Sequence, residues 1–137
     1  MKIVDKDGKR YVFDIIRKKY ILLTPEEEVR QFIIQLMITD FHYPKAAISV
    51  EKSFQLNQRR KRYDIVVYQS EKPWLLVECK APSVTVSQST FEQAGYYNLE
   101  LKVPYLFITN GQTNFIMEID FTTRQYKYLA ELPEYSK

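Results

Sequence analysis

Two carboxylates and an ammonium stand where a strand usually keeps charge away. Glu78 and Lys80 lie two apart in the segment 74–80, which also contains Leu75, Leu76 and Val77. Residues two apart in a strand leave the same face, so Glu78 and Lys80 share one face while Leu75, Val77 and Cys79 take the other. Charges at such positions cost free energy unless paired or metal-bound. Segment 63–68 carries the β-branched run Ile65-Val66-Val67, and Gln69-Ser70-Glu71-Lys72-Pro73 reads as the turn of a hairpin. A turn centred near Glu71 sets Asp64 opposite Glu78, with Cβ atoms about 4.5–5.5 Å apart. Two carboxylates at that spacing repel each other. A divalent cation removes the repulsion, and oxygen ligands suit magnesium or manganese. Lys80 beside such a cation could hold or polarise a water, which outlines a metal-assisted phosphodiester hydrolase. The same spacing fits a structural salt bridge of Lys80 with Asp64 or Glu78, because Asp…Glu-x-Lys is a common pattern.

The elements that must position these groups can be read around them. The first 23 residues predict a short β arm, with strands at 11–15 and 20–23. A helix follows: Thr24 suits the N-cap, Pro25 the first helical position, and Glu27 completes a capping box. Val29, Phe32, Ile33 and Leu36 recur at helical spacing, so that face is expected to be buried and the helix to end near Phe41, before Pro44. Segment 48–54 alternates apolar and polar residues and predicts a strand before 63–68. Pro82 stops the strand that carries Glu78. Ser89 and Glu92 form a second capping box for a helix running to about Leu101, with Phe91, Ala94, Gly95 and Asn98 on one side. Strands are expected at 105–109, 115–119 and 125–129, with a turn at Asn110-Gly111. This order describes an α/β (α+β) domain with a mixed sheet and flanking helices.

Composition narrows the function classes. The 137 residues, 45% hydrophobic, suffice for one core. A net charge of +3 is too small for a strongly basic nucleic-acid-binding domain. The basic residues are uneven, however: Arg59, Arg60, Lys61 and Arg62 form one run, either a phosphate-contact patch or a solvated loop before the strand. The only glycines are Gly8, Gly95 and Gly111, so no glycine-rich phosphate loop is present. The lone histidine, His42, follows an apolar helical stretch and reads as structural rather than as part of a Ser-His-Asp triad. The lone cysteine, Cys79, can form neither an internal disulfide nor a multi-Cys zinc site. The 11 Tyr and 8 Phe are mostly core and only weak evidence for base stacking. The charged start Met1-Lys2-Ile3-Val4-Asp5 does not suit a signal peptide, and no long apolar run suggests a membrane span, so a reducing cytoplasm is the expected setting.

Taken together, Asp64 and then Glu78-Cys79-Lys80 after a short hairpin resemble the signature of the PD-(D/E)XK nuclease superfamily. The closer resemblance is to the N-terminal nuclease domain of type I restriction enzyme R subunits, over about residues 24–111. Thr24-Pro25-Glu26-Glu27-Glu28-Val29-Arg30 resembles the opening helix of that group. Tyr63-Asp64-Ile65-Val66 resembles its first metal strand, and Glu78-Cys79-Lys80-Ala81-Pro82 its second. Gln93-Ala94-Gly95-Tyr96-Tyr97 fits its Gln-x-x-x-Tyr motif, and Thr109-Asn110-Gly111 its closing strand and turn.

The resemblance implies a restriction-endonuclease-like fold: a mixed central sheet flanked by helices, with an added C-terminal β hairpin. It implies one domain over 1–137, comprising the arm 1–23, the nuclease core 24–111 and C-terminal strands 112–137. It also implies roles. Asp64 and Glu78 would hold Mg2+ or Mn2+, with the Cys79 backbone carbonyl as a further ligand, and Lys80 would orient or deprotonate the attacking water. Gln93 and Tyr97 would lie beside the site, contacting DNA or supporting the metal. Glu27 is the candidate for the upstream helical glutamate, and equally reads as the capping-box residue. DNA is the implied substrate, bound in part by Arg59, Arg60, Lys61, Arg62 and Gln93. A homodimer or the partner subunits of a restriction complex are the implied protein partners. Tyr63 stands where the motif's name has proline, and 137 residues hold no helicase motor, so ATP-driven translocation is not expected of this chain. The expected function is therefore a magnesium-dependent DNA endonuclease. The alternative is a non-catalytic nucleic-acid- or protein-binding module that kept the fold.

Overall fold

The computed structural model describes residues 1–136 except Asn57; the side chains of Leu56, Tyr96 and Tyr97 also fall outside the described set. The first helix, α1 (Pro25–Thr39), begins where the sequence predicts. The Glu27 N–H donates to Thr24 Oγ1 at 3.1 Å, and Pro25 occupies the first turn. The second half of the capping box does not form, because the Glu27 carboxylate turns inward to Arg17 and Gln31 instead. The helix stops at Thr39, short of Phe41, and the chain turns through the exposed His42 at φ 57°. The buried face is Val29, Ile33, Ile34 and Met37. Phe32, expected on it, is 53% exposed. The apolar stripe runs through Ile34 and Met37, which rotates Phe32 toward solvent.

Six strands form the main sheet in the order β4 (Ile48–Leu56), β5 (Arg59–Gln69), β6 (Lys72–Cys79), β7 (Tyr105–Thr109), β8 (Asn114–Asp120), β9 (Gln125–Leu129). β6 and β7 are parallel, joined through α2 (Gln88–Leu101), and every other pair is antiparallel, so the sheet is mixed. β8 and β9 make the predicted C-terminal hairpin. A smaller sheet of β1 (Ile3–Lys6), β2 (Lys9–Asp14) and β3 (Lys19–Leu22) forms the N-terminal arm, one strand more than expected. The β5–β6 turn is tight: Gln69 pairs Lys72, while Ser70 and Glu71 take positive φ (51° and 64°), as a two-residue type I′ hairpin turn requires. The basic run 59–62 is not a loop. It lies within β5, paired to β4.

Apolar side chains fill both sides of the sheet. On the α1 side Val29, Ile33, Met37, Ile65, Leu75 and Val77 pack together; on the α2 side Val66, Leu76, Phe91, Leu106, Ile108 and Met117 do. Each fully buried aliphatic side chain contributes about 1.5–3 kcal/mol. The N-cap of α2 is Ser87, whose hydroxyl accepts from the Thr90 N–H, rather than Ser89. Gly95 allows α2 to approach β8 closely, because a Cβ there would lie 3.1 Å from Met117 Cε. Among the described residues no helix is long and apolar enough to cross a membrane.

The arm is joined to α1 through a buried polar cluster. The Asp14 side chain is fully buried and accepts from the Ile16 and Arg17 N–H groups, from Arg17 Nε at 2.6 Å and from Gln31 Nε2. Burial pushes its carboxyl up, but these hydrogen bonds outweigh burial and hold it below the usual value of 3.8. Its stabilising contribution is therefore fully present above the ordinary aspartate range and disappears as pH falls through the lowered value. Asp14→Ala is expected to cost about 3–5 kcal/mol, the scale for breaking a buried charge pair. Urea melts at neutral pH should show this loss. A parallel series at acid pH should show the difference from the parent shrinking.

Candidate active site

The site is built where β5 parts from β6. Their ladder runs to Ile65↔Val77 and no further, while β4 stays paired to β5 out to Leu56↔Arg59. The alternation of β5 breaks at the same point. Ile65 packs on the α1 side, but Tyr63 packs on the α2 side together with Val66. Opposite this kink, Glu51 takes a positive φ of 59°. Asp64 sits in the kink. One of its carboxylate oxygens accepts from the Cys79 N–H at 2.7 Å, replacing the lost backbone partner, and the other lies 3.3 Å from Arg30 Nη2.

Glu78 occupies the position next to Val77 on β6, and its carboxylate takes Lys61 Nζ at 2.7 Å. The Lys61 ammonium also lies over the Tyr63 ring, 5.5 Å from its centroid. Lys80 follows directly after the end of β6. Its N–H donates to the Thr109 carbonyl, and among the described residues its ammonium takes no ion pair. The simple picture of two carboxylates facing each other on one side of the sheet is thus altered. Both stand at one end of the sheet, but each is turned to a separate protein cation. They still feel each other: burial above all raises the Asp64 carboxyl, and repulsion from Glu26 and Glu78 adds to this, against the lowering effects of the Cys79 N–H and Arg30.

Arg30 is the hub on the α1 side. Its guanidinium lies within 4.0 Å of carboxylate oxygens of Glu26, Glu27, Glu51 and Asp64. Arg17 reaches Asp14, Glu27 and Glu51. Five carboxylates therefore share these two guanidinium groups, with the Arg62 charge acting on Glu51 from further off, so negative charge is in excess beside Asp64. Glu27, expected as the upstream ligand, is held by Arg17, Gln31 and Arg30, and shares the Arg30 guanidinium with Asp64. Glu26, half-exposed one residue earlier, is a glutamate of α1 whose charge raises the Asp64 carboxyl. Among the described residues no three His, Cys, Asp or Glu side chains are grouped as a complete metal cage.

The remaining predicted positions separate. Gln93 is exposed on α2 without a hydrogen bond to a described residue, and the Tyr97 side chain lies outside the described residues. Arg60 and Arg62 are exposed on β5, whereas Lys61 turns back to Glu78. Arg30, Lys61 in its pairing with Glu78, and Glu51 are the site residues that sequence reasoning missed. A signal for Arg30 existed: it lies next to Val29 and three residues before Ile33, on the apolar face of α1, where an arginine needs a carboxylate. Burial, with the nearby Asp64 charge, pushes the Cys79 thiol well above its usual range. Cys79 should therefore resist disulfide thiol reagents in the native protein at neutral pH and react at once in denaturant. Rapid native labelling would show that this end of β6 opens readily.

Comparison with known proteins agrees with this architecture. Residues 25–133 match the family model described as type I restriction enzyme R protein N terminus. A fragment of a candidate HsdR subunit of a type I restriction enzyme from Vibrio vulnificus YJ016 superposes with a TM-score of 0.54 and 24% identity. The match covers 82% of this chain and 24% of that one, so the chain spans about a quarter of its length. A candidate nuclease of the DUF820 group from Anabaena variabilis ATCC 29413 superposes with a TM-score of 0.53 and 11% identity, covering 93% of this chain and 80% of that one. No curated protein sequence matches significantly.

Proposed function

The chain belongs to the family of type I restriction enzyme R protein N termini, and on that premise we propose that it is a magnesium-dependent DNA endonuclease. The observation that carries this reading is the parting of β5 from β6 at Asp64, which leaves Asp64, Glu78 and Lys80 at one end of the sheet. The donor chemistry fits the metal. Magnesium is commonly held by one or two carboxylates plus waters and substrate phosphate rather than by a full protein cage. Asp64 and Glu78 supply those two, the Cys79 carbonyl a further oxygen, and the acids that outnumber the arginines around Arg30 favour a cation here. Manganese suits the same donors.

When bound, the metal supplies Lewis-acid stabilisation of the charge that develops on the phosphate. Lys80 orients the attacking water and, as an ammonium, stabilises the negative charge that develops on it, or, as the neutral amine, accepts the water's proton; Gln93 and Tyr97 are the α2 residues proposed to contact DNA. Arg30 and Lys61 balance the acids in the metal-free protein and compete with metal for their oxygens. The positive charge of Arg59, Arg60 and Arg62 draws DNA to this end of the sheet. The partner subunits of a restriction complex are the protein partners that the family suggests.

A second reading, a non-catalytic nucleic-acid- or protein-binding module, draws on one observation. Asp64 and Glu78 are each already satisfied by a protein cation, as in a purely structural ion-pair network. Plasmid cleavage in magnesium separates the two. The parent should nick or linearise DNA, Asp64→Ala should not, and a parent inert with both metals would leave the binding module. Lys80→Ala is expected to lose about 100-fold or more in cleavage at saturating DNA, with affinity in calcium little changed. Cleavage at the parental rate would make Lys80 a structural residue.

Metal should also raise the thermal midpoint of the parent, because a ligand bound only to the native state stabilises it, and Glu78→Gln should abolish that rise. A ligand carboxylate must be deprotonated to bind metal. Because the Asp64 carboxyl is raised above 3.8, mainly by burial, magnesium affinity should weaken on acidification before an ordinary aspartate would protonate. Calorimetric titration of magnesium across acid pH measures this directly.

A further inference from the structure

Beyond the point where β6 leaves β5, the β4–β5 pair continues alone. Five paired positions, from Lys52↔Tyr63 to Leu56↔Arg59, extend as a two-stranded ribbon that no third described strand flanks. At about 3.4 Å per residue it is about 15 Å long, and it starts beside Asp64. Residues 51–64 contain five Lys or Arg against two Asp or Glu. That surplus equals the +3 of the whole chain, whose 20 basic residues face 17 acidic ones. Both acids of this stretch, Glu51 and Asp64, are bound by Arg30 at the ribbon's base.

The register divides the four-residue basic run between two faces, because directly opposed residues of an antiparallel pair share a face. Phe54 opposes Lys61, and Lys52 opposes Tyr63. Phe54 and Tyr63 pack edge to face at 6.0 Å, and Lys61 turns to Glu78, so this face belongs to the protein. On the other face Ser53 opposes Arg62 and Gln55 opposes Arg60, a wholly polar surface on which Gln55, Arg60 and Arg62 are exposed.

We propose that this ribbon enters the major groove of duplex DNA with its Gln55–Arg60–Arg62 face against the base edges, and so sets the backbone at Asp64 and Glu78. The proposal rests on the endonuclease reading for the identity of the site it serves. The dimensions agree: the major groove of B-DNA is about 12 Å wide and about 8.5 Å deep and admits a two-stranded ribbon. Arginine and glutamine carry the bidentate donors and acceptors that read guanine and adenine there. The deep, narrow major groove of A-form RNA excludes such an element, so the partner is duplex DNA rather than duplex RNA.

The test is binding of the full chain, in calcium, to duplex DNA and duplex RNA of one sequence, beside plasmid cleavage in magnesium. The parent should prefer DNA by about tenfold or more, the scale of one good bidentate contact. R60A/R62A should lose at least about tenfold in DNA affinity and most of the preference over RNA. Its thermal midpoint should stay close to the parent's, since both side chains are exposed and Arg62 acts on Glu51 only from a distance, while Arg30 and Arg17 hold that carboxylate directly. K45A/K72A removes the same charge from exposed positions at the opposite end of the sheet and should keep both affinity and preference. Equal binding of DNA and RNA by the parent, parental behaviour of R60A/R62A, or an equal loss in K45A/K72A would each overturn the ribbon assignment. Those results with intact plasmid cleavage would leave the endonuclease standing. A DNA preference that depends on Arg60 and Arg62 without cleavage in either metal would leave the ribbon and overturn the endonuclease.

Discussion

Where β5 leaves β6, the Cys79 N–H has to find a new acceptor. An orphaned donor at a half-buried strand end costs as much as a lost hydrogen bond. The Asp64 carboxylate supplies the acceptor at 2.7 Å, and much of the local architecture follows from that contact. It lets β6 continue beside β7 to Cys79↔Thr109 after β5 has gone. It frees β5 to continue with β4 as a ribbon. It also fixes a carboxylate next to the Glu78 position, where alternation along a regular ladder would have left a plain cross-strand pair. The same contact explains why Asp64 can be charged there at all, since it and Arg30 oppose the effect of burial on the carboxyl.

A carboxylate held this way needs counter-charge, and the chain supplies it from a distance. Arg30 comes from the buried face of α1 and Arg17 from the segment after β2, and between them they tie Asp14, Glu26, Glu27, Glu51 and Asp64 into one network. Buried ion pairs of this kind contribute modestly to net stability but are costly to break singly. The arm lies outside the residues matched by the family model, yet its Asp14 and Arg17 brace Glu27 and Glu51, which brace Arg30, which holds Asp64. The electrostatics beside the candidate site therefore depend on a segment that contributes no residue to the proposed chemistry.

What the sequence made legible was whatever local physics decides. Thr24-Pro25 fixed the start of α1, the β-branched run and the turn residues located the β5–β6 hairpin, and Asn110-Gly111 marked the reversal after β7. The ordered short motifs identified the fold that the family match and both structural neighbours share. What was illegible was decided at long range. Four consecutive cations carry no apolar period, so the ribbon read as a loop until β4 supplied its partner. Glu27 fitted a capping box because its competitors, Arg17 and Gln31, are visible only once the arm has folded back. Phe32 fitted the apolar stripe until Ile34 and Met37 rotated it. Ser89 satisfied a cap pattern that Ser87 satisfied first.

At the site it matters which cation pairs with Glu78. Lys61 and Lys80 are both candidates to pair with Glu78, but among the described residues only Lys61 does, at 2.7 Å. Had Lys80 formed that ion pair, its ammonium would be committed to structure, and the Glu-x-Lys spacing would be explained without any reaction. Because Lys61 carries the structural pairing from the middle of the ribbon, the Lys80 ammonium takes no ion pair among the described residues. A cation on a different strand thus separates two meanings of one short motif, and it links the occupancy of Glu78 to the position of the ribbon.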